Sequence, residues 1–231
     1  MSVLLIGGLE PFESAGLEFH RQLLRLTSGG RVVLHLPAAR HDALSRQSEF
    51  HQAYGRTLGC EVTTLELYRQ QPDPVEAKQR FAAADLVFLD GGNTSWLVDC
   101  LIHHDFAPLL KSYMDGPCWL LGFSAGANCL HEWGWSSVGV QRAVAGLGLL
   151  PGGFAPHGGD PNRDGALRQH LAEHRERWLV CHDGSALAIE SGHYRALGDG
   201  VYIFDSRMGV LIERSLKNGQ QGCLDELYGT T

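Results

Sequence analysis

Ser124, His157 and Asp183 are three residues that could together carry out nucleophilic catalysis. The first of them in the chain is Ser124. It lies in the segment Leu120–Asn128, which reads Leu-Leu-Gly-Phe-Ser-Ala-Gly-Ala-Asn. This pattern predicts an apolar strand, a sharp turn and a helix. A serine on such a turn projects its hydroxyl into the crevice at the carboxyl end of a sheet, where helix N–H groups stabilise an oxyanion. Ser124 is therefore the predicted nucleophile; the alternative is a plain glycine-rich turn in which Ser124 caps the helix.

His157 is the predicted base, because a serine hydroxyl needs one near neutral pH. Segment 150–160 is so rich in Gly and Pro that it is predicted to be a loop, where catalytic residues often lie. Two other histidines remain alternatives. His193 lies beside a predicted hairpin turn, and the side chain of His182 should point away from that of its neighbour Asp183.

Asp183 is the residue predicted to orient the base. It follows the predicted strand Trp178–Cys181 and precedes Gly184, so it too lies at the carboxyl end of a strand. The resulting order is Ser, His, Asp, whereas α/β-hydrolases have the order Ser, acid, His. The serine turn alone therefore does not assign the chain to the α/β-hydrolase fold.

A second glycine-rich turn, Leu89–Ser95, reads Leu-Asp-Gly-Gly-Asn-Thr-Ser and also separates a predicted strand from a predicted helix. In a parallel sheet its backbone would lie at the same edge as Ser124. The N–H groups of Gly92 and Ala125 are therefore candidate donors to an oxyanion hole. The alternative is a turn in which Asn93 or Thr94 caps the helix.

Short apolar runs alternate with longer amphipathic stretches, which is typical of an α/β fold with a mostly parallel sheet. The predicted strands are Val3–Gly7, Arg31–Leu36, Glu61–Leu67, Asp85–Leu89, Cys118–Phe123 and Trp178–Cys181. The predicted helices are Ser14–Leu26, Asp42–Thr57, Pro74–Ala84, Thr94–Tyr113 and Ala125–His131. Ser191-Gly192 predicts a C-terminal β-hairpin of Ala186–Glu190 and His193–Leu197, to which Val201–Phe204 could add a third strand.

Length and composition narrow the class of protein. The 231 residues, 44% of them apolar, predict a single domain spanning residues 1–231. A net charge of -7 without a run of Lys or Arg argues against partners such as nucleic acid or an anionic membrane. The N-terminus lacks the pattern of a signal peptide, and six scattered cysteines form no Cys-x-x-Cys pair, so we expect a cytoplasmic protein.

His170-Leu-Ala-Glu-His174 spells H-x-x-E-H, a pattern that places two imidazoles on one face of a helix in some zinc peptidases. A zinc peptidase that uses His170, Glu173 and His174 is therefore an outside alternative, as is a noncatalytic binding domain. A polar helix face is the structural explanation of the motif. A serine mechanism needs no metal or other cofactor, and none is predicted.

Taken together, Gly122–Asn128, the preceding Gly91–Thr94 and the histidine near position 157 resemble the peptidase E (aspartyl dipeptidase) family and its cyanophycinase relatives. The opening Leu5–Gly8 and the segment Leu36–Ala39 match as well, so the resemblance covers nearly the whole chain. It implies a serine peptidase on a flavodoxin-like, three-layer fold similar to class I glutamine amidotransferases. Those amidotransferases use Cys where this chain has Ser124.

The resemblance implies the same nucleophile, base and oxyanion-hole residues, and it adds substrate contacts. Asn93 and Arg163 are expected to bind substrate, Arg163 through a carboxylate. The third catalytic residue of the family is commonly Glu, where this chain has Asp183, and Glu190 is the fallback. We therefore expect an exopeptidase that cleaves short peptides in the manner of an aspartyl dipeptidase, with a serine carboxypeptidase or a cyanophycinase-like exopeptidase as alternatives. A homodimer is compatible with all of them.

Overall fold

The computed structural model describes residues 1–27 and 31–229. Eight α-helices, α1 to α8, lie within these residues: Ser14–Leu26, Leu44–Phe50, Pro74–Ala83, Thr94–His103, Ala107–Met114, Ala125–Leu130, Pro161–Glu173 and Leu224–Tyr228. A short 3-10 helix, Ala38–Arg40, precedes α2. The π-helix His51–Thr57 follows directly on the C-terminal end of α2.

Fourteen strands lie in the described residues and form two sheets. In chain order, β1 to β14 are Ser2–Ile6, Val32–Leu36, Glu61–Thr64, Leu86–Leu89, Trp119–Phe123, His131–Ser136, Arg142–Ala145, Leu150–Gly158, Arg177–His182, Ala186–Glu190, His193–Leu197, Val201–Asp205, Ile212–Leu216 and Gln221–Cys223. The first sheet has the order β14-β11-β10-β1-β5-β4-β2-β3, and the second has the order β13-β12-β9-β8-β6-β7.

The first sheet has a parallel half, in which β1, β5, β4, β2 and β3 run in the same direction. Strand β1 shows why the sheet is covered on both faces. Val3 and Leu5 join one buried apolar cluster, whereas Leu4 and Ile6 join another. Successive side chains of a strand point to opposite faces, so an unbroken apolar run fits a strand between two layers. The predicted α/β fold of the flavodoxin-like type is confirmed.

The C-terminal hairpin is also confirmed: β10 and β11 pair antiparallel, with Ala186 opposite Leu197. The predicted third strand exists as β12, but it pairs with β9 in the second sheet rather than with the hairpin. The second sheet as a separate element was not predicted.

Two segments differ from their predictions. The predicted helix over Thr94–Tyr113 is two helices, because Asp105 between them has a left-handed backbone with φ 55°. Segment 150–160, predicted as a loop, is mostly strand β8. Its glycines serve close packing instead, since a Cβ on Gly153 would overlap the indole ring of Trp178.

Two buried histidines predict that the fold is sensitive to acid. Burial lowers the pKa of His20 and of His131 from 6.5 to about 4. Between these values the unfolded chain binds protons that the native protein does not, so the free energy of unfolding should fall as the pH drops from about 6.5 towards 4. At about 1.4 kcal/mol for each pKa unit, the two residues should together remove several kcal/mol.

Urea unfolding at pH 7 and at pH 4.5 measures this loss. His131→Phe should weaken the pH dependence, because it removes one of the two imidazoles that titrate. Phenylalanine should fit the site, since His131 stacks on Phe154 and its Nε2 has no hydrogen-bond partner among the described residues. His193→Gln is the control, since His193 is exposed. An unchanged pH dependence in His131→Phe would show that burial of this imidazole is not the cause.

Candidate active site

Ser124 lies on a sharp turn between strand β5 and helix α6. Its backbone has φ 51°, a left-handed value that a serine adopts only where the surroundings impose it. Small neighbours make the turn possible: a Cβ on Gly126 would overlap the carbonyl oxygen of Leu89, and one on Gly122 would lie 2.7 Å from the Cα of Ala127. The turn therefore packs tightly against strand β4 and holds the hydroxyl at the carboxyl end of the sheet.

His157 approaches Ser124 from the end of strand β8. The Ser124 hydroxyl donates to His157 Nε2 at 2.7 Å. His157 also has a left-handed backbone, with φ 56°, and its N–H donates to the Gly7 carbonyl at 3.2 Å. Strand β8 thus ends in a conformation that turns the imidazole towards the serine.

Asp183 completes the row of three side chains. His157 Nδ1 donates to Asp183 Oδ1 at 2.6 Å. This hydrogen bond lowers the pKa of Asp183, so its carboxyl group remains ionised and accepts the Nδ1 proton. The tautomer that results leaves Nε2 free to accept the serine proton. The structure therefore brings together all three predicted catalytic side chains, in an arrangement suited to acyl transfer.

Gly8 packs directly against the His157–Asp183 pair, and sequence reasoning did not single it out. A Cβ at this position would overlap Asp183 Oδ1 and lie 2.6 Å from His157 Nδ1. The only signal in the sequence is a second Gly-Gly pair at the end of an apolar strand, the same context as Gly91-Gly92.

The turn that contains Gly92 lies beside the serine turn, since a Cβ on the neighbouring Gly91 would lie 2.8 Å from the Phe123 ring. Gly92 itself has φ 141°, and its Cβ would overlap the carbonyl oxygen of Ala39. The N–H groups of Gly92 and Ala125 have no hydrogen-bond acceptor within the described part of the chain. Both are available to a ligand oxygen in the cavity above Ser124.

This cavity has a volume of about 180 Å³. Besides the catalytic serine and histidine, its lining includes Arg163, which is buried. The guanidinium donates from Nε to the Pro156 carbonyl at 2.7 Å and from Nη2 to the Trp135 carbonyl at 2.6 Å. No carboxylate of the described residues forms an ion pair with it. Burial lowers the pKa of Arg163, and the charges of Asp164, Asp160 and Asp183 offset this effect in part, so Arg163 is a buried cation without a direct carboxylate partner in the cavity that Ser124 also lines.

Asn93 has a different place from the one predicted for a substrate-binding residue. Its side chain caps helix α4 and accepts the Trp96 N–H at 3.3 Å. The neighbouring Thr94, rather than Asn93, lines the cavity. A role of Asn93 in substrate binding therefore stays a prediction.

The alternative catalytic residues lie in other surroundings. The ring of His182 stacks on Tyr202, with the ring centroids 5.0 Å apart. His193 is exposed on β11, where its Nδ1 lies 3.1 Å from the Ser191 carbonyl. Glu190 is exposed at the end of β10, opposite Ser2. Asp183 and not Glu190 is thus the carboxylate in contact with His157.

The H-x-x-E-H segment lies at the end of helix α7. His170 Nε2 lies 3.0 Å from Glu176 Oε2, and the rings of His170 and His174 stack with centroids 4.2 Å apart. In residues 1–27 and 31–229, no group of three His, Cys, Asp or Glu side chains is arranged to hold a metal ion. The zinc alternative therefore lacks a third ligand in the part of the chain that the structure describes. Within the same residues, no helix is both long and apolar enough to cross a membrane.

Comparison with known proteins bears on the family and the fold of the chain. The sequence model of Peptidase family S51 matches residues 3–197. A crystal structure of a peptidase from an acI-B1 Actinobacterium is similar over 96% of each chain, with a TM-score of 0.73 and 22% identity. A putative peptidase E protein from Listeria monocytogenes EGD-e is similar over 94% of this chain and 98% of that chain, with a TM-score of 0.62 and 15% identity. These two likenesses concern the fold alone. No curated protein sequence matches the chain significantly.

Proposed function

The chain belongs to peptidase family S51, a family of serine peptidases, and from this premise we propose that it is an exopeptidase in which Ser124, His157 and Asp183 form the catalytic triad. The observation that supports the triad is the unbroken row of hydrogen bonds, 2.7 Å from serine to histidine and 2.6 Å from histidine to aspartate. Each contact lies within the reach that proton transfer requires.

In the proposed mechanism His157 takes the Ser124 proton while Oγ attacks the peptide carbonyl. The carbonyl oxygen becomes an oxyanion that accepts hydrogen bonds from the N–H groups of Gly92 and Ala125. His157 then gives its proton to the leaving amine, and an acyl-enzyme remains. A water molecule, deprotonated by His157, attacks this ester; His157 then returns the proton to Ser124 Oγ as the acid leaves, which restores the free enzyme.

The position of Arg163 favours an exopeptidase. A buried guanidinium that meets only carbonyl groups gains most from a carboxylate ligand, and the cavity next to it is small. A free peptide carboxylate or an aspartyl side chain supplies such a ligand, whereas the interior of a long chain need not. Aspartyl dipeptidase activity is our first candidate. Carboxypeptidase activity is the second, because the Trp-rich segment Leu130–Val138 lacks the Asp-containing stretch that the resemblance to aspartyl dipeptidases would imply.

A screen of short peptides tests the proposal. Free and end-blocked di-, tri- and tetrapeptides, with Asp varied at the first position, should be cleaved only when one terminus is free. Cleavage of Asp-initiated dipeptides alone supports the dipeptidase, whereas cleavage of longer peptides with a free C-terminus supports the carboxypeptidase. Equal cleavage of peptides blocked at both ends would contradict exopeptidase activity altogether.

Arg163→Lys should raise KM for peptides that carry the recognised carboxylate by about 10- to 100-fold, because a charge-assisted hydrogen bond contributes about 1.5–3 kcal/mol. The kcat should change little, since Arg163 does not contact the reacting atoms. Steady-state kinetics with a free peptide and with its C-terminal amide measures the effect. Arg168→Lys, on the same helix α7 but outside the cavity, is the matched control. An equal rise of KM for the amide would show that Arg163 does not bind the carboxylate.

A further inference from the structure

The backbone of the Gly91–Asn93 turn is held at three of its polar groups. The Gly91 N–H donates to Asp90 Oδ1 at 2.7 Å, and the Asn93 N–H donates to the Ala39 carbonyl at 2.8 Å. The Gly91 carbonyl accepts from Arg40 Nε at 3.0 Å. The Gly92 N–H is the remaining donor of this turn, and it has no acceptor in residues 1–27 and 31–229.

The contact between Arg40 and Gly91 determines where the Gly92 N–H points. The Gly91 carbonyl and the Gly92 N–H belong to the same peptide group, which is planar and trans. In a trans peptide the C=O and N–H bonds point in opposite directions. A guanidinium that holds the carbonyl on one side therefore aims the N–H to the other side. A charged donor on the carbonyl also polarises the peptide group and strengthens its N–H as a donor.

Arg40 is itself held in place by a chain of ion pairs. Its Nη2 donates to Glu10 Oε1 at 2.7 Å, and the other oxygen of Glu10 accepts from Arg46 Nη1 at 2.7 Å. Arg46 is buried and also binds the fully buried Asp90, with 2.6 Å between Arg46 Nε and Asp90 Oδ2. Asp90 in turn accepts the Gly91 N–H. The chain of contacts thus starts and ends on the same turn, so it fixes the turn from both sides.

We infer that Arg40 is a positioning residue of the peptidase reaction: through the Gly91 carbonyl it holds the Gly92 N–H in the orientation of an oxyanion-hole donor. The inference rests on the proposed function, because it needs an oxyanion at Ser124. Arg40 lines the cavity, so the rival role is direct binding of a substrate carboxylate. The two roles differ in kinetics, since an oriented donor acts on the transition state and a carboxylate contact acts on substrate binding.

Arg40→Met tests the inference. Loss of one oxyanion donor costs about 10²- to 10³-fold in kcat, and a misoriented donor should cost about 10- to 100-fold, with KM within about threefold of the wild-type value. A peptide aldehyde adds a second readout, because its hemiacetal with Ser124 places an oxygen in the oxyanion hole. Its inhibition constant should rise by the same factor as kcat falls, whereas the inhibition constant of the corresponding peptide acid should not change.

A matched control exists in the same chain. The side chains of Arg40 and its partner Glu10 are 41% and 33% exposed, and those of Arg168 and its partner Glu213 are 42% and 35% exposed. Arg168→Met therefore removes a similar ion pair away from the cavity, and it should leave kcat within about twofold of the wild-type value. Thermal unfolding checks that both variants fold. Arg40→Lys, which keeps the charge but not the Nε donor, should also have a lower kcat than the wild-type protein. It replaces Arg40→Met in the test if Arg40→Met does not fold.

Three results would overturn the inference: an unchanged kcat in a folded Arg40 variant, a rise of KM alone, or an equal loss of kcat in Arg168→Met. A rise of KM alone would assign Arg40 to substrate binding instead. Failure of the proposed function is a separate result, because it would appear as activity retained by Ser124→Ala. An inactive Ser124→Ala together with a fully active Arg40→Met would refute only the role of Arg40.

Discussion

Ser124→Ala is expected to lower kcat for a cleaved peptide by about 10⁴-fold or more, which is the largest effect we predict. The variant keeps the cavity and the oxyanion donors, but it has no oxygen that could form the acyl-enzyme. Among the described residues the hydroxyl donates only to His157, so its removal breaks only that hydrogen bond. The variant should therefore still bind ligands in the cavity. Calorimetric titration of the variant with a competitive inhibitor should give a dissociation constant near the value of the same inhibitor for the wild-type protein.

Ser137→Ala is the control for this experiment. Ser137 lines the same cavity and is exposed, and the His157 ring forms its hydrogen bonds with Ser124 and Asp183 instead. Its variant should keep the wild-type kcat and react with a fluorophosphonate, whereas Ser124→Ala should not react. Full peptidase activity in purified Ser124→Ala would rule out the mechanism proposed above.

Gly8→Ala should lower kcat by about 10²- to 10⁴-fold, even though Gly8 contributes no side chain to the reaction. The added methyl group would occupy the space of the Asp183 carboxylate and lie 2.6 Å from His157 Nδ1. To relieve this overlap, the two side chains must move apart, and the imidazole loses the partner that fixes its tautomer. A displacement of about 1 Å at a reacting group already costs about 10²-fold. Single-turnover kinetics should show that acylation is the slowed step.

Gly165→Ala is the matched substitution for comparison. Gly165 lies on helix α7, and a Cβ at this position would contact nothing within 4 Å. Alanine there should stabilise the helix by about 1 kcal/mol and leave kcat unchanged. If Gly8→Ala folds with the wild-type melting temperature and keeps its kcat, the packing of Gly8 against the catalytic pair has no role in catalysis.

The sequence predicted the parallel half of the first sheet well, because four of its five strands, β1, β2, β4 and β5, are mostly apolar runs, whereas the edge strand β3 is largely polar. It did not predict the second sheet. Strand β8 is interrupted by Gly and Pro, and the glycine at 153 is needed because the large ring of Trp178 lies against it. Local pattern cannot distinguish a glycine that allows a turn from one that allows close approach of a distant side chain. The break at Asp105 also depends on a backbone conformation that residue type does not dictate.

Prediction of the site from the sequence relied on residues that follow a strand end, as Ser124 and Asp183 do, and the structure places both in contact with His157. The prediction missed the groups that act through contacts between distant segments. Arg40 and Arg46 lie in a polar stretch that resembles an ordinary helix start, and their partners Glu10 and Asp90 are 30 to 44 residues away. Nothing in local spacing connects these four residues. Only the fold, which places the ends of β1, β2 and β4 at one edge, brings them together.

In the proposed mechanism, the two sheets supply different parts of the reaction. Ser124 and both candidate oxyanion donors follow strands of the first sheet, whereas His157 and Asp183 lie at the ends of β8 and β9 in the second. Carbonyl attack and proton transfer are thus assigned to residues of different sheets, which meet at the Ser124–His157 hydrogen bond and at backbone contacts such as that of the His157 N–H with the Gly7 carbonyl. In the proposed mechanism, a substitution of Asp183 in the second sheet would alter the orientation of the base and would replace neither the nucleophile nor an oxyanion donor.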